Sequence, residues 1–512
     1  MSSILFWLVA VPVLGSLICI PLSDRYARWA ALATGVVGVV LAGLLYAAFD
    51  PAQADRFQLA VEFPWIPAFG IRFALGVDAL NFPLVLLSKL VLPVALLASW
   101  GEQRHARAFM ICYLALDAAM VGCLLATDIF LFYVLWEAML IPMLLLIGVW
   151  GSKERVYAAV KFFLFTFAGS VLMLAAVLWV FVEHHAQIGA YTGDIAALGS
   201  VVLSTTPVLY GLSPMDLVFL GFTLAFAVKV PLFPLHTWLP DAHVQAPTGG
   251  SILLAAVLLK LGTYGLLRFS IPYAPLAFLK FQGALSVLSV IGIVYGAWVA
   301  LAQTDMKRLI AYSSVSHLGF VVLGICALNT DGLTGAVLQM VNHGLSTGAL
   351  FLLVGILYER RHSRELADLG GLAEFMPKYA VFLVFIACSS MAVPGLNGFV
   401  GEFLVLRGVF QASPLFGVVA VTGVVFGALY LLVMLRAVLF GPTASSENRA
   451  LSDLSLRDWA ALVPLCIFIV WLGIAPGALL SRLGGSLDGY WRKAVPSLSI
   501  GADVPLREGG RS

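Results

Sequence analysis

Four charged side chains stand where hydrocarbon should be. Lys229 lies in LVFLGFTLAFAVKVPLFPL and Lys260 in SILLAAVLLKLGTYGLL, each deep inside a stretch apolar enough for a membrane. Glu137, in LFYVLWEAMLIPMLLLIG, and Glu402, in VPGLNGFVGEFLVL, add carboxylates to the same setting. A charge at mid-bilayer costs roughly 2.5–3.5 kcal/mol even on permissive insertion scales, so such residues face a polar interior and carry ions or protons. A carboxylate within about 4 Å of an ammonium, at an effective dielectric near 20, favours the charged pair by roughly 4 kcal/mol. Moving that carboxylate away, or neutralising it, frees the lysine to give up its proton. Glu137 and Lys229 are thus the two parts of a candidate switch. His317 (in AYSSVSHLGF) and His343 (in LQMVNHGLSTGALF) supply rings that both donate and accept. Ser313, Ser314, Ser316, Ser346 and Thr347 can hold water between them. His236 and His243, in PLHTWLPDAH, belong to the basic-loop end and mark either an entrance or a structural loop. The chemistry expected of this set is passage of a proton or cation.

Such a set needs a membrane-grade scaffold, and the composition supplies one. Hydrophobic residues make up 61% of the 512 and charged residues 11%, with a mean hydropathy of +1.01; a chain of this length in water would carry far more charge. The net charge of +2, with no basic tract, excludes nucleic acid as a partner. MSSILFWLVAVPVLGSLICI has no basic start and reads as a first span rather than a cleaved signal. Apolar windows predict about fourteen spans, near 3–21, 28–49, 76–99, 107–126, 128–150, 157–182, 214–237, 247–269, 281–303, 308–328, 332–357, 379–405, 413–441 and 459–481. Alternating strand patterns are absent, which argues against a membrane barrel. The fold class expected is an all-α polytopic membrane protein. Basic residues crowd one set of loops (Arg104, Arg107, Lys153, Arg155, Lys307, Arg308, Arg360, Arg361 and Arg364 among them), while Arg56 and Arg72 stand alone opposite. That bias puts the basic loops in the cytoplasm and both termini outside, with the tail cations Arg482, Arg492, Lys493, Arg507 and Arg511 as a departure.

Two spans carry helix breakers at mid-depth. Pro231 and Pro234 follow Lys229, and Pro394, Gly395, Gly398 and Gly401 precede Glu402. Irregular backbone at that depth is tolerated only inside protein or beside a wet cavity. Interrupted spans at matching places in two halves point to a transporter built from repeats. Taking Pro231 and Pro394 as equivalent gives a spacing of 163 residues (394 − 231) and matches spans four to eight with nine to thirteen.

Other residues read more plainly. Cys19, Cys112, Cys123, Cys326, Cys388 and Cys466 are scattered apolar fillers without a CxxC. Glu183, His184 and His185 lack the spacing of a metal site. Lys89, Lys161 and Arg268 lie nearer span ends and are expected to snorkel. The charged stretch 358–378 is a solvated loop, a docking surface or an amphipathic helix. No P-loop or GxGxxG with an acidic partner is present, so no cofactor is expected in this chain.

HTWLPDAHVQAPTGGSILLAAVLLKLGTYGLLRF (236–269), WEAMLIPMLLLIGVWG (136–151), VKFFLFTFAGSVLML (160–174), FLLVGILYERRHSRE (351–365) and PGLNGFVGEF (394–403) stand in this order over most of residues 70–440. Together they resemble the antiporter-like M, or chain 4, subunits of respiratory complex I, the proton-pumping NADH:quinone oxidoreductase. The resemblance implies fourteen helices: N-terminal spans in 1–106, a first five-helix repeat in 107–270, an inverted repeat in 281–441 and a last helix with its tail in 442–512. Each repeat would hold a discontinuous helix. It also implies that Glu137, Lys229, Lys260, His317, His343 and Glu402 carry protons, with His236 and His243 in second rank. NADH, FMN, iron–sulfur clusters and quinone would then belong to partner subunits, with sister antiporter-like chains on either side in a bacterial inner membrane. MAVPGLNG and the GGS after APT depart slightly from the usual pattern without removing a titratable group. A multi-subunit cation/proton antiporter, or the equivalent chain of a ferredoxin-accepting photosynthetic or hydrogenase complex, is the competing expectation.

Overall fold

A helix satisfies its backbone hydrogen bonds within itself, so a chain this apolar folds almost wholly as helices. The computed structural model describes residues 3–442 and 445–495; the predicted tail cations Arg507 and Arg511 lie outside them. Among the described residues, ten helices are long and apolar enough to cross a membrane, and Ile4–Cys19, Phe82–Ala98 and Pro377–Ser390 are shorter apolar ones. Helical residues occupy every window read from the sequence as a span.

The helices divide by what they touch. The apolar stretches of Thr248–Tyr273 and Thr330–Arg361 are wholly buried in the protein, and that of Met306–Cys326 nearly so, whereas those of Asp24–Ala48, Pro414–Phe440 and Leu456–Ile474 are mostly not buried. The buried helices hold Lys260, His317 and His343, and the outward ones are apolar where lipid would meet them. Close helix approach depends on glycine. A Cβ on Gly296 would sit 2.8 Å from Ser316 N, and one on Gly319 would sit 2.9 Å from Ser289 O. Small residues at such crossings are the usual means of packing helices in a membrane.

Three sequence expectations are corrected here. No strand was expected in an all-α fold, but β1 (Gln58–Ile66) and β2 (Ile71–Val77) form an antiparallel hairpin. Its turn closes at Gly70, φ +62, where a Cβ would lie 2.3 Å from Tyr191 O. Arg72 then bridges to Glu62 within the hairpin and ties the hairpin to Asp194, both at 2.7 Å. The third helix accordingly starts at Phe82 rather than 76, because Asp78 and Asn81 make a hydrogen-bonded turn before it. In stretch 358–378 no amphipathic helix forms, and three of its arginines pair internally: Arg360 with Asp458 (2.6 Å), Arg361 with Glu447 (2.5 Å) and Arg364 with Asp305 (3.4 Å).

Candidate functional site

Lys229 is the last residue of the Pro214–Lys229 helix, which stops because Pro231 has no N–H to continue it. The chain runs irregularly to Trp238, where the Trp238–Gln245 helix begins. Leu232 N donates to Ala227 O (2.8 Å), leaving Val228 O to accept from the Trp238 indole at 2.9 Å. The break is therefore stitched by its own flanks. Lys229 is fully buried and its Nζ has no hydrogen-bond partner. It lies 4.9 Å from the ring centroid of Trp136 and 5.8 Å from that of Phe162, within cation–π range.

Glu137 follows Trp136 in a span that is itself interrupted at Met139, between the Ile129–Ala138 and Leu140–Trp150 helices. Trp136 is anchored by Nε1 donating to Ser170 Oγ (3.0 Å), which donates on to Thr166 O (2.9 Å). Glu137 Oε1 is buried without a partner. Its carboxylate and the Lys229 ammonium feel each other's charge, but they do not form one of the chain's ion pairs. The tight contact imagined from sequence is thus looser, with an aromatic face against the lysine.

The second cluster is held by two hydrogen-bonded pairs, Lys260 with His343 and His317 with Glu402. Lys260 is fully buried in Leu259–Gly265, flanked by two π-helical stretches, Leu254–Leu258 and Leu266–Ser270. Widened turns of this kind recur at functional positions because they release backbone carbonyls. Here Lys260 Nζ donates to Ala255 O, five residues back, and meets His343 Nδ1 at 2.5 Å. The His343 and His317 rings lie edge to face, 5.8 Å between centroids. His317 Nδ1 lies 2.9 Å from Glu402 Oε1, and its Nε2 lies 3.3 Å from the Tyr430 hydroxyl. Gln339 Nε2 donates to the same Glu402 oxygen at 3.0 Å.

The second break, 391–396, lies between the Pro377–Ser390 and Asn397–Ala412 helices, with Gly395 at φ +92. Asn342 Nδ2 donates to Asn397 O (2.7 Å) and Ser389 Oγ to Asn397 Oδ1 (2.6 Å), holding the restarted helix. Gly398 and Gly401 do not break the helix as the sequence reading supposed; they lie inside it. A Cβ on Gly401 would come 2.6 Å from Gln339 Oε1, so glycine lets Glu402 approach the His343 helix. A cavity of about 10 Å³ lies between His317, Gln339, Asn342, His343, Ser346 and Glu402, about enough for one water.

Six sequence-predicted residues therefore fall into two groups. Lys260, His343, His317 and Glu402 form one line, and Glu137 and Lys229 form a neighbouring pair. The helices of Lys229 and Lys260 touch where Gly262 faces Phe226 O and Val230. His236 is buried in the first break, stacked on Phe233 (5.7 Å). His243 is fully buried, stacks on Phe351 (4.4 Å), and has no partner for either ring nitrogen. It feels the charges of both Lys260 and Lys307. Lys307 Nζ donates to Ala246 O (2.6 Å) and lines a basic-face cavity of about 520 Å³. His184 and His185 lie near the C-terminal end of the Arg155–Ile188 helix rather than in a loop, one bonded to Ala190 O and the other stacked on Tyr191.

Sequence reasoning misassigned the three cations expected to snorkel, since each ends on an acid of this chain. Lys89 meets Asp117 at 2.6 Å, both fully buried. Lys161 meets Asp241 at 2.7 Å, and Arg268 meets Asp78 at 2.6 Å. Asp117 was visible as an acid in the apolar run MICYLALDAAMVGCLLA and went unused. Gln339 and Tyr430 gave no signal, since a neutral polar residue in an apolar helix is common.

With this geometry in place, the chain was compared with known proteins. The model of the family described as "NADH:quinone oxidoreductase/Mrp antiporter, TM" matches residues 126–427. The NADH-quinone oxidoreductase subunit M of Rhodobacter capsulatus is 44% identical over 474 residues, covering 91% of each chain. Among solved structures, a chain of respiratory complex I from Thermus thermophilus superposes with a TM-score of 0.86 at 32% identity, covering 96% of this chain and 99% of that one. A chain of the Mrp complex from a Dietzia species shares the fold, with a TM-score of 0.79 at 23% identity, covering 97% of this chain and 55% of that one.

Proposed function

The chain belongs to the NADH:quinone oxidoreductase/Mrp antiporter family of membrane subunits, and from that premise we propose that its buried Glu, Lys and His residues carry protons across the bilayer. It is a multi-pass membrane subunit of the proton-translocating NADH:quinone oxidoreductase, complex I. Its near end-to-end match to the Thermus chain, against about half of the Mrp chain, favours this over a cation/proton antiporter. We assign the NADH, FMN, iron–sulfur and quinone chemistry to partner subunits, sister antiporter-like chains to its flanks, and the bacterial inner membrane as its site. We also read 107–270 and 281–441 as repeats, because each holds one proline-interrupted helix beside a buried charge.

The observation that carries the reading is the buried line from Lys260 to Glu402. An ammonium on Lys260 donates to His343 Nδ1, and a proton moving across leaves a neutral amine and an imidazolium. The ring then releases its other proton from Nε2, which has no protein partner. The adjoining cavity has room for one water, which would bridge to His317. His317, with Tyr430 on one nitrogen and Glu402 on the other, passes the charge to the carboxylate. Moving one proton against the field costs about 2.3 kcal/mol per 100 mV. Electron transfer in the partner subunits supplies that energy, and the Glu137–Lys229 pair is where it reaches this chain. A carboxylate shifting relative to Lys229 changes the ammonium's stability without breaking a hydrogen bond, because none holds it.

Glu402→Gln tests this in inverted membrane vesicles. NADH-driven acidification is expected to fall steeply while the assembled complex is recovered in normal amount. Acidification equal to wild type would remove Glu402 from the path.

A further inference from the structure

We propose that an outward-facing groove, rimmed by Arg482, is a binding site for an anionic glycerophospholipid. The proposal does not depend on the proton path. The groove has a volume of about 340 Å³ and lies among the Asp24–Ala48, Phe82–Ala98, Thr330–Arg361 and Leu456–Ile474 helices. Gly43, Leu86, Leu90, Leu345, Trp471 and Leu479 supply much of a wall that is almost entirely apolar. An apolar groove of this size on a soluble protein would mark a partner or ligand site. On a membrane surface, the solvent that fills it is acyl chain.

The charge at its end selects the headgroup. Tyr46 lines the groove, and the Arg482 guanidinium lies 4.0 Å from the Tyr46 ring centroid. Leu479, three residues before Arg482 on the Gly477–Ala494 helix, also lines the groove, so floor and cation share one helix face. Arg482 Nη1 donates to Tyr46 O (3.0 Å) and Phe49 O (3.4 Å), carbonyls in the last turn of the Asp24–Ala48 helix and at its cap, which fixes the fork in place. It has no ion-pair partner among the described residues, unlike Lys493 nearby, which holds Asp55 at 2.5 Å. This end of the molecule carries the hairpin rather than the basic loops, and the basic-loop bias then assigns the guanidinium to the outer headgroup level. A fixed guanidinium with open donors matches phosphate geometry, and its uncompensated charge favours a lipid with net negative charge.

Gly43 permits a clean test, because a Cβ there would meet nothing within 4 Å and a longer side chain has the groove to grow into. The assembled complex is reconstituted with phosphatidylglycerol or phosphatidylcholine bearing a photoreactive diazirine in the acyl chain. Labelling of peptides spanning 83–90 and 468–479 is then quantified. Phosphatidylglycerol is expected to label both peptides several-fold more than phosphatidylcholine. Arg482→Gln should equalise the two lipids, Arg482→Lys should keep part of the preference, and Gly43→Phe should abolish labelling by either. Equal labelling in the wild type, or labelling indifferent to Gly43→Phe, would overturn the proposal. So would absence of labelling because a neighbouring subunit covers the groove.

Discussion

Lys89 and Lys229 are both fully buried lysines on membrane helices, yet they are held in opposite ways. Lys89 Nζ grips Asp117 at 2.6 Å, and Ser88 Oγ donates to the second oxygen of that carboxylate at 3.2 Å. Lys229 has no hydrogen bond at all; it faces aromatic rings at a helix break, with an acid near but unbonded. On the proposed reading, the contrast separates a structural ion pair of opposite charges from a charge that takes part in coupling. Burial alone does not identify a relay residue. A locked pair resists change in protonation, whereas an ammonium held only by rings and a movable carboxylate can respond to its neighbours.

The sharpest way to test that distinction is to break the locked pair. Asp117→Asn leaves an uncompensated buried lysine and should cost about 3–5 kcal/mol, read as a large fall in thermal stability and in recovery of assembled complex. Replacing both partners, Lys89→Met with Asp117→Leu, should restore stability and proton translocation together. Restored stability with lost translocation would move this pair into the path. The next effect belongs to the loose pair. Trp136→Leu removes the ring under Lys229, a contact worth about 2 kcal/mol when desolvated, and should lower both stability and coupled acidification moderately. Glu137→Gln should leave thermal stability nearly unchanged while abolishing acidification; a stability loss as large as that of Asp117→Asn would show the two pairs to be alike. The smallest effect is expected of Tyr430→Phe, which removes one neutral hydrogen bond to His317, about 1 kcal/mol, and should slow translocation without stopping it.

How much of this was legible in the sequence follows the same divide. Glu137, Lys229, Lys260 and Glu402 announced themselves because each is a charge among apolar residues, a purely local signal. The prolines at 231 and 394 marked both breaks for the same reason. The Lys89–Asp117 bond joins positions 28 residues apart on different helices, so pairing had to wait for packing. The turns widened around Lys260 leave no mark in residue type, since LLAAVLLKLG reads as ordinary helix. The β1–β2 hairpin was missed because most of its first strand is exposed, which blunts the alternation a half-buried strand displays. Gly398 and Gly401 were seen but misread, as glycine looks the same whether it loosens a helix or admits a neighbour.

The central claim is that protons cross through the Lys260–His343–His317–Glu402 line. Its most direct test is the ratio of protons moved to NADH oxidised by the complex carrying Lys260→Met, reconstituted in sealed liposomes. A ratio clearly below that of wild type, with the complex intact, is the expected result. An unchanged ratio with normal turnover would contradict the account.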